Sequence, residues 1–323
     1  MYRPQAHLVI AVIFFIFTFE IRSQEKSIYT NSYIDPFILN PACAGLEYYP
    51  QVHLSIEKQW LNFPGSPVTL QLTGNSKLGN FDFYDTRGMV NKGPLKLRER
   101  VGLGAIIFKD NNGLLSTTGG ILSYAYHIPL KQKNNLSFGI SVILNNYSLN
   151  SALLDPDIEY DNFLFTGNDD VFGVNFASGA FYRNEHYFTG ISITNILPGI
   201  SNVSDKKVMQ QSYFLLAGYQ LGKNNNRFNY EPSIEIKYIS PDDIFVDLHA
   251  KVYYNNLNWG AISISSSKKV NVQFAIRVYK KLYTGYNYGF TFTKMNRFNG
   301  DFHQISLGIN LGLFNVEGIR KTI

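Results

Sequence analysis

The chain has 323 residues, enough for two ordinary domains or one large all-β unit. Charged residues make up 16% and aromatic residues 15%; soluble domains carry about 25% charged residues, so part of this surface is expected to face something other than water. A net charge of +5, evenly spread, is too small to point to nucleic acid, and a single cysteine, Cys43, excludes an intrachain disulfide.

At the N-terminus, Arg3 precedes the apolar run LVIAVIFFIFTF (Leu8–Phe19), and polar EIRSQEK follows. A spanning helix needs ~20 apolar residues, so residues 1–23 read as a cleaved secretory signal peptide, with cleavage near Ser23 and Gln24. Cys43 lies too far beyond the run for lipoprotein acylation. No motif supplies it with a base, so it reads as a small hydrophobe. Residues 24–49 stand apart from the rest. In FILNPACAG (Phe37–Gly45) nothing alternates, and Pro36, Pro41 and Gly45 stop a regular element.

From about residue 50 onward the hydrophobic period is two. Segments with this pattern centre near 50–60, 67–74, 100–109, 119–130, 135–147, 171–182, 186–196, 211–221, 227–240, 244–254, 257–265, 269–280, 282–293 and 301–313, about 14 in all. In KVNVQFAIRVY, Val270, Val272, Phe274, Ile276 and Val278 share one face, and Asn271, Gln273, Ala275 and Arg277 share the other. LYTGYNYGFTFT and HQISLGINLGL repeat the pattern. A soluble sandwich also alternates. Here, however, the polar faces are rich in Gly, Ser, Thr and Asn, and the apolar faces in Tyr and Phe, as in membrane-interface girdles. Several runs also reach the ~9–11 residues that a tilted spanning strand needs. The fold class is therefore all-β: a transmembrane antiparallel β-barrel of about 14 strands over residues 50–323. Lipid requires it to be closed, because an open edge leaves backbone groups unpaired.

If the first strand rises from the periplasm, KQKNN, RNE, GKNNN, NNLN and Lys280–Lys281 are short periplasmic turns, and the long stretches at 148–170 and 197–210 lie outside. Residues 24–49 are then expected to be a periplasmic segment that packs in or under the barrel mouth as a partial plug. One connection breaks the length rule. Gly74–Arg100 is long and basic, and Arg87, Lys92, Lys96 and Arg98 make it a candidate periplasmic docking loop.

Catalytic and cofactor motifs are weak. No G-x-S-x-G and no phosphate-cradling glycine loop occurs. Asp247, His249 and Lys251 share one strand face, expected to be luminal, where a carboxylate could orient a histidine base; no nucleophile is identified. Asp155, Asp157, Glu159 and Asp161, followed by Asp169 and Asp170, form an acidic loop. Its spacing could suit Ca²⁺, yet Tyr160 stands where an EF-hand needs glycine. His53, His127, His186 and His303 are single residues without paired zinc-ligand spacing. The reading is of a non-enzyme with no cofactor and no metal.

YIDPFILNPACAG (Tyr33–Gly45) and EKQWLNFPGSPVTLQLTGN (Glu57–Asn75) resemble the PorP/SprF family of the Bacteroidota type IX secretion system. The motif residues are Asn40, Pro41, Ala42, Ala44 and Gly45; Lys58, Gln59 and Trp60; and Gly65, Pro67 and Thr69. RVGLGAIIFKDNNGLLSTTGGILSYAYHIPL (Arg100–Leu130) and the C-terminal HQISLGINLGL extend the likeness over most of the chain. Cys43 departs from it, standing where an aromatic is usual.

The resemblance implies an outer-membrane barrel serving type IX protein secretion and gliding motility. Its implied partners are outer-membrane lipid, the periplasmic ring lipoprotein of the system and the C-terminal sorting domain of a secreted, adhesin-like cargo, with no nucleic acid. The alternative is a passive porin-like channel for small solutes. A pair of soluble β-sandwiches is a third reading.

Overall fold

In this computed structural model the described residues are 32, 34–47, 50–61, 65–78, 100–113, 115–130, 134–149, 170–197, 211–222, 227–240, 243–255, 258–279, 281–292 and 301–311. The signal-peptide region, most of the 74–100 connection and the acidic loop up to Asp169 lie outside them.

Alternation of the kind seen in KVNVQFAIRVY lets a strand satisfy two media at once, and here it builds fourteen strands. They are β1 (Gln51–Gln59), β2 (Val68–Lys77), β3 (Val101–Asn112), β4 (Leu115–Pro129), β5 (Asn135–Leu149), β6 (Asp170–Arg183) and β7 (Tyr187–Thr194). Then follow β8 (Ser212–Tyr219), β9 (Phe228–Ser240), β10 (Asp243–Tyr254), β11 (Asn258–Ser265), β12 (Lys269–Tyr279), β13 (Leu282–Thr291) and β14 (Phe302–Asn310). Each pairs antiparallel with its sequence neighbours, and β14 closes on β1 from Gln51↔Asn310 to Gln59↔Phe302. The sheet is thus a closed barrel without an edge, as the lipid argument requires.

The two faces separate cleanly. On β12, Val272, Phe274, Ile276 and Val278 are 44–59% exposed, whereas Asn271, Gln273 and Ala275 are 5–8% exposed. Outward side chains form the apolar belt, and inward ones form a tightly packed polar interior. Ser123 hydrogen-bonds Ser141 across the inner wall at 2.8 Å, and Asn271 donates to Ser263 at 3.0 Å.

We call the end where β1 begins and β14 ends the first rim, and the other end the far rim. At the first rim β12 and β13 are two residues apart, and β6 and β7 three. The far rim carries the long connections after β5 and β7, but also two-residue turns between β3 and β4 and between β9 and β10. The sequence reading left residues 110–118 outside its segments. In the structure β3 and β4 run on to a tight turn at Gly113, whose φ of 61° glycine adopts without steric cost.

Inside the first rim lies the N-terminal segment. Of two single 3₁₀ turns, Pro41–Cys43 packs against β4, β5 and β6, and Pro36–Ile38 packs on Pro41–Cys43. Phe37, Ile38, Ala42, Cys43 and Ala44 join Ile106, Phe108, Ala125 and Phe181 of the inner wall in one buried apolar cluster.

Candidate functional site: the barrel lumen and its N-terminal segment

The two prolines fix φ and remove a donor at the start of each turn, which is why the segment is compact yet not helical. Asn40 holds it in two ways. Its side-chain oxygen accepts from the Ala42 amide at 3.0 Å, capping the second turn. Its side-chain nitrogen donates to the carbonyls of Ala180 on β6 (3.0 Å) and Ile191 on β7 (3.2 Å). Aspartate could cap but could not donate.

The wall beneath is built to receive this turn. Gly102, Ala125, Gly139, Gly179 and Ser192 are successive register partners across β3, β4, β5, β6 and β7. They form one continuous row of small inward-facing residues. A Cβ at Gly139 would collide with the backbone of Pro41 and Ala42; one at Gly179 would collide with the Asn40 side chain, and one at Gly102 with the Ala44 carbonyl. Ser192 donates to the Leu39 carbonyl at 2.6 Å, and His127 Nε2 lies 2.9 Å from the Ala44 carbonyl. Gly45, at φ 63°, passes so close to Ser76 and Gly102 that only glycine fits.

Asp35 ties the other end of the segment to β1 and β2. It faces His53 Nδ1 at 2.8 Å and accepts from Thr73 Oγ1 and, at 3.4 Å, from Asn75. Ser32 reaches Glu235 on β9 at 3.3 Å. Deeper in the lumen Lys237 bridges Glu235 and Asp247, each at 2.8 Å.

Between the segment and the β8–β14 wall a cavity of about 330 Å³ reaches the first rim at Gln51 and Asn310. The Arg183–Glu47 pair (3.1 Å) borders it, and Lys251 lies over the rings of Trp259 (4.3 Å) and Tyr253 (4.9 Å).

The structure brings some candidate residues together and separates others. Asn40, Pro41, Ala42 and Gly45 form one site at the first rim. Lys58, Gln59, Trp60, Gly65 and Pro67 lie about 30 Å away, at the other end of β1. There the Gln59 side chain turns inward and donates to Glu57 (3.0 Å), and its backbone N–H donates to the Pro67 carbonyl (3.0 Å). Trp60 and Gly65 adopt positive φ, 51° and 73°, in the β1–β2 turn. Asp247 and Lys251 face the lumen, but Asp247 bonds Lys237 and Lys251 stacks on rings. His53 faces Asp35, His127 bonds Ser137 (2.7 Å) and His303 bonds Tyr286 (2.6 Å). Among the described residues no three His, Cys, Asp or Glu converge on one point. Arg87, Lys92, Lys96 and Arg98 lie outside the described residues.

Cys43 is buried at 3% exposure, and burial pushes its thiol pKa up, away from thiolate chemistry. A maleimide is therefore expected to leave Cys43 unmodified in the folded barrel and to label it once the barrel is unfolded. Intact-mass analysis reads both states.

Sequence reasoning missed the small-residue row and the Lys237 cluster. The only available signal was glycine recurring at inward positions of several strands, and that carries no cross-strand address.

Comparison with known proteins follows the same line. No curated protein matches the chain significantly. Solved structures to which the chain is similar include the toluene transporter TbuX of Ralstonia pickettii, at 10% identity and TM-score 0.47, covering 86% of this chain and 92% of that one. Omp33 of Acinetobacter baumannii matches at 11% and 0.48, covering 82% and 99%. The P. putida toluene transporter TodX matches at 12% and 0.44, covering 84% and 90%. A family profile described as "Type IX secretion system membrane protein PorP/SprF" matches residues 21–309. An outer-membrane barrel whose N-terminal segment is tied by Asn40 to its inner wall, the chain belongs to the PorP/SprF family of type IX secretion system membrane proteins.

Proposed function

We propose that this barrel serves type IX secretion by holding protein partners at its two rims, with residues 24–49 acting as a plug rather than leaving an open conduit. One observation carries the reading: the Asn40–Gly45 turn lies on a row of residues small enough to admit its backbone. An open porin has no use for such a fit. The cavity among the described residues at the first rim, about 330 Å³, suits a few side chains and not a moving polypeptide.

In this reading the first rim is periplasmic and meets the ring lipoprotein, with Arg87, Lys92, Lys96 and Arg98 as the docking loop. The far rim meets the C-terminal sorting domain of a secreted adhesin-like cargo, and the protein acts in gliding motility through that cargo.

Detergent pull-down from native membranes is expected to recover a large secreted protein or the ring lipoprotein. Charge reversal at Lys92, Lys96 and Arg98 should weaken capture of the ring lipoprotein. In planar bilayers the purified barrel should show no steady porin-like conductance. A steady ion current with no protein partner would favour the passive channel instead.

A further inference from the structure

The outward face of a barrel is expected to be apolar wherever acyl chains touch it, and β1 obeys this at Val52, Leu54 and Ile56. The next outward residue, at the far rim, is Lys58, and it is exposed. β3 repeats the pattern: Leu103 and Ile107 are followed outward by exposed Lys109. β14 presents His303 above Ile305, Leu307 and Ile309.

Register places these three groups close together. Lys58 pairs directly with His303 and, on its other side, with Val68; Lys109 pairs with Leu70 on the same intervening strand. With strands about 4.8 Å apart and a rise of about 3.3 Å per residue, the two lysine Cα atoms stand about 12 Å apart. Val68 and Leu70 form an apolar pad between them.

Neither ammonium group has a partner among the described residues. The carboxylates nearby are engaged elsewhere: Asp301 accepts from Tyr288 Oη at 2.9 Å, and Asp110, facing inward, accepts from Thr69 Oγ1 at 2.7 Å. Tyr286 Oη lies 2.6 Å from His303 Nδ1, which leaves Nε2 as the ring's remaining polar atom, and Tyr288 packs on the same ring with centroids 5.1 Å apart.

A lysine on a lipid-facing strand is costly at the bilayer midplane and nearly free at the interface. Snorkelling explains why one can be tolerated. It does not explain why two lysines and a histidine gather on three of four adjacent strands, at one rim, without a facing carboxylate. An anion of the membrane itself completes the arrangement.

We propose that Lys58, Lys109 and His303 bind the phosphate groups of the phosphorylated glycolipid in the outer leaflet, while Val68 and Leu70 meet its acyl chains and Tyr286 and Tyr288 flank its sugars. The site rests on the far rim facing outward, as the functional reading has it, and not on any secretion partner. It also gives Lys58, part of the family-motif stretch, a role that the lumen does not.

Native mass spectrometry of the detergent-purified barrel, titrated with lipid A and with dephosphorylated lipid A, tests it. The wild type should bind the phosphorylated form about tenfold tighter. Lys58→Gln combined with Lys109→Gln should abolish that preference, while the paired arginine variants should retain it. Lys269→Gln, which removes a cation lying 3.9 Å over the Phe302 ring on the luminal side, should change nothing. Equal wild-type binding of both forms overturns the proposal without any variant. Unchanged binding by the double glutamine variant does so as well. Preference for phosphatidylglycerol over lipid A also overturns it and would put the far rim at the inner leaflet, a result a pull-down cannot produce.

Discussion

Replacing Gly139 with leucine is expected to release the N-terminal segment and turn a quiet barrel into a conducting one. The glycine sits in the small-residue row, directly paired with Gly179, and even a Cβ there would collide with the Pro41–Ala42 backbone. The wall is a closed hydrogen-bonded sheet, so it cannot retreat; the segment must. Overpacking of this kind costs about 1–3 kcal/mol and occasionally more. The segment is held by the hydrogen bonds of Asn40, Ser192 and His127 and by the Asp35 contacts, each contributing on the order of 1 kcal/mol net, and by the apolar cluster that Phe37, Ile38, Ala42, Cys43 and Ala44 form with the wall. The collision is with the backbone of Pro41 and Ala42, which cannot rotate aside as a side chain can, so relief requires the Asn40–Gly45 turn to shift. The measurement is planar-bilayer conductance, with protease sensitivity of residues 32–47 read in parallel. Gly139→Leu should raise mean conductance at least tenfold over wild type and expose the segment to cleavage. Gly74→Ala, on the same sheet but with only ordinary contacts around the added Cβ, should do neither. A Gly139→Leu barrel that stays silent and protease-resistant would show that the row does not position the segment.

Removing the charge of Lys237 should be the most damaging single change to stability. Its side chain is 4% exposed and its ammonium bridges Glu235 and Asp247, whose side chains are 4% and 8% exposed. Lys237→Met leaves two buried carboxylates facing each other across paired strands, since Glu235 and Asp247 are register partners. Breaking a buried ion pair from one side typically costs about 3–5 kcal/mol, mostly from the charge left behind. The expected result is a marked fall in the unfolding temperature in detergent, read from heat-modifiable gel mobility. Adding Glu235→Gln and Asp247→Asn should restore most of the loss, because the penalty comes from the orphaned carboxylates. A triple variant no more stable than Lys237→Met would mean that the cluster acts by packing.

Much of the architecture was legible in the chain itself. A strand's side chains alternate by geometry, so KVNVQFAIRVY declares its two faces without reference to anything else. The same local rule gives the strand number, the membrane setting and the closed sheet. FILNPACAG could be read as irregular for an equally local reason: proline and glycine restrict their own φ. Where it would rest was not legible. Gly102, Gly139, Gly179 and Ser192 are scattered along residues 102–192, and nothing in the composition of each strand says that they share a row. Asp247 likewise reads as a luminal charge with no link to Lys237 until β9 and β10 pair.

The sequence by itself determined the medium each residue faces, because hydrophobic periodicity is fixed by backbone geometry and needs no partner. Only the tertiary structure decided which residues meet across strands, because register is set by the closure of the whole sheet. It was that register which laid Asn40–Gly45 on a floor of glycines and left Lys58, His303 and Lys109 together at one edge of the membrane.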